Sequence, residues 1–191
     1  MSTRYETLEM LAALSALISY DPETGVLTWL SRPESSFQSM RSARSWNARF
    51  AGKPIRSTHC NGKYLKVWVT FDGEPVQFQG HRVAWALAKG RWPATGLHID
   101  HINGVPIDNR LSNIREATNT QNQRNRGARH GPIRSNRTGY RGVSRKSASS
   151  WVAQISGRSL GTFKTALEAH MVYETAAREL HGEFYQEQRA S

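Results

Sequence analysis

Apolar and polar positions follow two different periods along this chain. Leu8, Leu11, Leu14, Leu17 and Ile18 recur at the spacing of a helix with one buried face, so a helix is expected over Tyr5 to Ile18. Asp21, Pro22 and Gly25 are turn formers and predict a hairpin that resumes at Val26 to Trp29. From Lys63 to Phe71 the period is two, with Leu65, Val67, Val69 and Phe71 alternating against Tyr64, Lys66, Trp68 and Thr70. Asn61-Gly62 before this run and Asp72-Gly73 after it are hairpin-turn signals, and Val76 and Phe78 continue the pattern into a small antiparallel meander. Val83 to Ala88 reads as a short helix ended by Gly90 and Pro93, whereas Ser31 to Ala51, rich in Ser and Arg, shows no clear period and has no assigned role.

The second half repeats the contrast. Tyr140–Arg145, Trp151–Ser156 and Leu160–Phe163 are three short strand candidates, with turns at the Ser-rich 147–150 and at Gly157. Thr165 and Glu168 form a capping box for a helix with apolar positions Ala166, Ala169, Tyr173, Ala176, Ala177 and Leu180, ended by Gly182. The expected fold class is α+β: a small N-terminal helix and hairpin region, a strand–loop–strand–helix unit, a linker, and a three-stranded antiparallel sheet packed on one helix. The expected boundaries are 1–79, 80–127, 128–138 and 139–191.

Charge sharpens this division. The 191 residues hold 26 Lys+Arg and 15 Asp+Glu, a net +11. Residues 1–116 contribute 14 basic and 10 acidic, 117–167 contribute 10 basic and none acidic, and 168–191 contribute 2 and 5. The excess lies across the linker and the second sheet, a distribution that favours a polyanionic partner. Cys60 is the one cysteine, which excludes an intrachain disulfide and paired-thiolate zinc sites and reads as a small loop residue. Glu6 and Glu9 break what would be the apolar part of a signal peptide, and no apolar run is long enough for a membrane span. A cytoplasmic setting without membrane contact is expected.

The chemistry concentrates between Leu97 and Arg126, LHIDHINGVPIDNRLSNIREATNTQNQRNR. Asp100 and His101 are adjacent, so in a strand their side chains point to opposite faces, one able to hold a metal and the other to face a reacting group. Ile102 to Arg110 is a polar loop, Ile114-Arg-Glu116 returns as a strand, and Thr118 with Gln121 opens a helix carrying Asn122 one turn in. Oxygen donors at Asp100 and Asn122 suit a hard divalent cation, and an imidazole is able to accept a proton from water near neutral pH.

This stretch resembles the ββα-metal motif of HNH endonucleases of the phage and intron homing type. Asp100-His101, Asn113 and Asn122 match its four positions, and His81-Arg82-Val-Ala-Trp85 with Gly90 resembles the helix before the motif. The resemblance implies that His101 is the general base and that Asp100 and Asn122 hold one Mg²⁺ or Mn²⁺ per chain. It implies that Asn113 holds the loop and orients His101. Asp108 and Asn109 read as turn caps, His98 as a supporting residue, and Arg110 and Arg115 as arginines within reach of phosphates.

Tyr140-Arg-Gly-Val143, Trp151-Val-Ala-Gln-Ile155 and Leu160-Gly-Thr-Phe163 resemble an AP2/ERF DNA-binding domain, whose sheet enters the major groove. That resemblance implies base contacts from Gln154 and from Arg141 or Arg145, and phosphate contacts from Lys146 and Arg158. The Ser-rich 147–150 and Ser159 depart from the plant members, so their target sequence does not transfer. The expected protein is a metal-dependent endonuclease acting on double-stranded DNA, a monomer or weak dimer with no organic cofactor, its C-terminal sheet selecting the site. The alternatives are an AP2-type regulator with an inactive HNH module and a nonspecific nucleic-acid packaging protein.

Overall fold

The structure, a computed structural model, describes residues 5–59, 63–123 and 138–185. Its contacts divide the chain into two units, Met1–Ala117 and Thr118–Ser191. The division falls ahead of the expected boundary at 127. The linker expected over 128–138 lies outside the described residues except for Thr138, as do Cys60 and the Asn61-Gly62 turn.

In the first unit, helix α1 (Leu8–Leu17) starts at Thr7, whose hydroxyl accepts from Met10 N–H at 3.1 Å, and it buries Met10, Leu11 and Leu14. Strands β1 (Ile18–Tyr20) and β2 (Leu27–Trp29) form the expected hairpin. The segment left without a period contains a helix, α2 (Met40–Phe50), capped by Ser39. Of its residues only Ala43 is fully buried, and Ala43, Trp46 and Phe50 at i, i+3 and i+7 make a short apolar stripe set among Ser and Arg. It is seated through aromatic edges, with Trp46 at 5.8 Å from Trp29, 6.0 Å from Phe37 and 5.3 Å from Phe50 between ring centroids.

Strands β3 (Thr58–His59), β4 (Tyr64–Phe71) and β5 (Glu74–Gln79) make an antiparallel sheet in the order β3-β4-β5. Leu65, Val67 and Val69 face the core, while Tyr64, Trp68 and Thr70 are exposed. Lys66 breaks the alternation. It is buried, and its Nζ donates to Gln77 Oε1 at 3.2 Å, which satisfies one of its three N–H groups. Helix α3 (Gly80–Lys89) is longer than expected at its start and ends at Gly90 in the left-handed region. Phe78 stacks on Trp92 at 5.4 Å, and Trp92 Nε1 donates to Thr7 O at 2.8 Å, joining the sheet to the head of α1. Strands β6 (His98–His101) and β7 (Ile114–Ala117) close the unit as a two-stranded antiparallel ribbon. One apolar core, built around Leu14, Leu27, Val67, Val83 and Ile114, takes residues from α1, β1, β2, β4, β5, α3, β6 and β7.

In the second unit, residues 119–123 are helical (α4). Strands β8 (Val143–Ser147), β9 (Ser150–Ile155) and β10 (Arg158–Phe163) form an antiparallel sheet with β9 in the middle, packed against α5 (Ala166–His181). Ala153 and Ile155 meet Ala169, Tyr173 and Ala177 in a separate core. Gly142, at φ 70°, lets the chain pass the Tyr173 ring, since a Cβ there would lie 2.0 Å from Cδ2. The capping box at α5 is complete: Thr165 Oγ1 accepts from Glu168 N–H, and the Glu168 carboxylate accepts from Thr165 N–H. None of the described helices is long and apolar enough to cross a membrane.

Candidate active site

The register of β6 and β7 sets the site. Asp100 lies opposite Arg115 and His101 opposite Ile114, so the two neighbours point to opposite faces of the ribbon. Asp100 is buried, and its Oδ2 accepts from both Nε and Nη2 of Arg115 at 3.2 Å. A carboxylate and a guanidinium together inside the protein offset part of each other's desolvation cost. Arg115 was expected to reach toward phosphates; here it pairs with the carboxylate.

His101 is buried at the end of β6, and its Nε2 lies 3.1 Å from Asn109 Oδ1. With a carboxamide oxygen as acceptor, Nε2 is the donor of this bond and carries a proton. The His81 ring on α3 stands perpendicular to His101, with centroids 5.2 Å apart. Burial, and then the positive charges of His101, Arg82 and Lys66, push the His81 imidazole down to about 3. His81 is therefore neutral at ordinary pH, and it adds no charge beside His101.

Asparagines and one aspartate knit the loop between the strands. Asn113 Oδ1 accepts from Asn103 N–H at 3.0 Å, and Asn113 Nδ2 donates to Asp108 O at 2.7 Å. Asp108 accepts from Asn103 Nδ2 at 2.7 Å and from Arg110 Nη2 at 2.6 Å. The Arg110 guanidinium, with the Arg110 and Asn103 hydrogen bonds, holds the Asp108 carboxyl down to about 2. The β1–β2 hairpin supports this loop from outside. Tyr20 Oη donates to Asn109 O at 2.8 Å, and Leu111 N–H donates to Pro22 O at 2.9 Å. Gly25 packs onto the same stretch at φ 74°, where a Cβ would lie 2.4 Å from Arg110 N.

Asn109 is the residue that the sequence did not single out. It is 1% exposed, and its side chain meets the histidine eight positions earlier. Asp-Asn-Arg reads locally as a turn cap, and nothing in its neighbours betrays a tertiary partner. Asn113 holds the loop through backbone contacts, and the bond to the His101 ring comes from Asn109.

His98 is exposed on β6. Asn122 belongs to the second unit, half-buried on α4; Thr118 and Gln121 cap that helix reciprocally, at 2.8 Å and 3.3 Å. Gln154 and Arg158 are exposed on β9 and β10, and Lys146 is exposed at the bulge in β8. Arg141 is half-buried before β8. Arg145 is exposed but engaged, its guanidinium donating to Ser147 O and Ala148 O at 3.0 Å. Among the described residues no group of three or more His, Cys, Asp or Glu is placed to hold a metal. Asp100 in the first unit and Asn122 in the second each carry the hard oxygen donors that suit a magnesium ion.

Comparison with known proteins gives one family match. Residues 79–124 match the HNH endonuclease family, an interval that begins at the foot of α3 and takes in β6, the loop, β7 and Asn122. No curated protein matches the chain. A solved structure titled "DNA binding and cleavage by the HNH homing endonuclease I-HmuI" is similar at 18% identity and a TM-score of 0.41, over 87% of this chain and 78% of that one. The family match ends before Gly139, where the segment that resembles an AP2/ERF domain begins. Over residues 79–124 the chain is similar to HNH endonucleases.

Proposed function

We propose that the protein is a metal-dependent endonuclease that hydrolyses phosphodiester bonds in duplex DNA. The observation that carries this reading is His101, buried at a strand end within the matched domain, its Nε2 bonded to Asn109 and its neighbour Asp100 on the opposite face of the strand. In this mechanism Nδ1 of His101 accepts a proton from water as the water oxygen attacks phosphorus, and the P–O3′ bond breaks. Asn109 fixes the tautomer and the ring direction, and Asn113 holds the loop that carries Asn109. Arg115 orients Asp100 through two hydrogen bonds. Asp100 and Asn122 would hold one Mg²⁺ or Mn²⁺, which when bound supplies charge stabilisation of the scissile phosphate and the departing oxygen.

The C-terminal sheet is the targeting element in this reading. Its outward face offers Gln154 for a base edge, while the exposed Lys146 at the bulge of β8 and Arg158 at the start of β10, opposite Ile155, would serve phosphates, with Arg141 at the margin. Arg145 reads a base only by giving up its two carbonyl partners.

Incubating supercoiled plasmid with the protein and Mg²⁺ tests the proposal. Cleavage is expected, abolished by chelator and reduced about 10²–10⁴-fold in His101→Ala. Wild type without cleavage, or a variant that cuts as well as wild type, overturns it.

A further inference from the structure

The net charge of the first unit conceals a second basic block. Between residues 35 and 71 there are seven Lys+Arg and no Asp or Glu. Three of these, Arg41, Arg44 and Arg49, lie on α2, and all three are exposed. With Ser45 and Ala48 they share one face at i, i+3, i+4, i+7 and i+8 spacing, a strip about 12 Å long at 1.5 Å per residue. None of the three forms an ion pair among the described residues.

The helix is held firmly for an element that buries one residue. Ser39 caps it, and Trp46 and Phe50 seat it among aromatic rings. Asn47 clamps Arg32 in both directions, accepting from Arg32 N–H at 3.0 Å and donating to Arg32 O at 2.9 Å. After the helix, the chain returns to β2, where Gly52 N–H donates to Trp29 O and Trp29 N–H donates to Lys53 O. The Trp46 contacts lie on the side away from Arg41 and Arg44, and the Arg49 guanidinium lies over the Phe50 ring at 5.1 Å from its centroid. Lys53 and Arg56 follow, both exposed.

We infer that the arginine face of α2 is a docking surface for the sugar–phosphate backbone of duplex DNA, outside the HNH domain. The inference rests on the DNA reading above and adds an anchoring site to it. Charge complementarity selects the partner: a rigid strip of guanidinium groups without carboxylates is matched by a regular row of phosphates. Such contacts position the protein without reading sequence.

Salt titration of binding tests this with the intact protein. Affinity for a long duplex is measured in EDTA, with the DNA checked to be uncut, against salt concentration for wild type, R41Q/R44Q/R49Q and R41K/R44K/R49K. Each phosphate neutralised on B-DNA contributes about 0.9 to the slope of log K against log salt, so the Gln variant is expected to flatten it by about 2.7. The Lys variant keeps the charge and is expected to keep the slope. Unchanged slope in the Gln variant, or equal flattening in the Lys variant, overturns the inference while leaving the endonuclease reading intact. Failure of the wild type to bind duplex DNA overturns both.

Discussion

At the scale of residues, the site depends on what Asn109 does for His101. The carboxamide is almost fully buried, so Asn109→Ala removes the partner of Nε2 and leaves a polar ring atom without its acceptor. A stability loss of about 1–3 kcal/mol is expected, read from urea midpoints. Cleavage is expected to fall together with a changed pH–rate profile, because the ring loses its fixed tautomer. An unchanged profile would assign Asn109 a structural role alone. His81 makes a separate prediction about pH. Its folded value near 3 lies below its ordinary 6.5, so between these values the unfolded chain binds a proton that the folded chain does not. Stability is therefore full above 6.5 and falls as pH drops toward 3, with a slope of up to about 1.4 kcal/mol per pH unit from this group. His81→Gln is expected to flatten the slope between pH 6.5 and 4, measured by denaturation at each pH. Asp108, held near 2, acts in a lower window: its contribution is present above its ordinary 3.8 and is lost as pH falls toward 2.

At the scale of elements, the β1–β2 hairpin works as a brace for the loop between β6 and β7. Its turn bonds to Leu111, its Tyr20 hydroxyl bonds to Asn109, and its Gly25 lies against Arg110. The Tyr20 phenol is pushed up to about 12, by burial first and then by Asp21 and Asp108, so it remains a donor throughout the working range. Gly25→Ala adds a Cβ at 2.4 Å from a backbone nitrogen at a left-handed φ. Something must shift, and the nearest atoms belong to the residues next to the Asn109–His101 bond. A loss of about 2 kcal/mol or more is expected in chemical denaturation, with reduced cleavage by the protein that remains folded. A variant with wild-type midpoint and activity would show that the hairpin does not brace the loop.

At the scale of the whole molecule, two units with separate cores divide the labour proposed for them. The first holds His101, Asp100, Asn109 and the basic face of α2; the second holds the sheet with Gln154 and Arg158. On the proposed reading, one HNH site per chain would cut one strand per event. Supercoiled plasmid is expected to appear first as open circle and only later as linear DNA, followed on agarose gels. Linear product formed directly would require two sites acting together. The +11 charge takes on a finer pattern at this scale. The block across 117–167 is joined by the block across 35–71, and these lie on either side of the matched domain in sequence.

The sequence by itself determined the elements whose signals are local. The caps Thr165-Glu168 and Thr118-Gln121, the alternation of β4, the hairpin turns and the spacing of Asp100, His101, Asn113 and Asn122 are written in neighbouring residues, and periodicity and capping chemistry suffice to read them. Only the tertiary structure decided what those residues touch. Arg115 faces Asp100 because the strands pair in one register, Asn109 reaches His101 because a loop folds back, and Gly25 is needed because a distant turn packs against it. Helix α2 escaped notice for a related reason. Hydrophobic periodicity is read from repeated apolar positions, and the stripe of α2 is only Ala43, Trp46 and Phe50 among Ser and Arg, whose partners Trp29 and Phe37 the fold supplies.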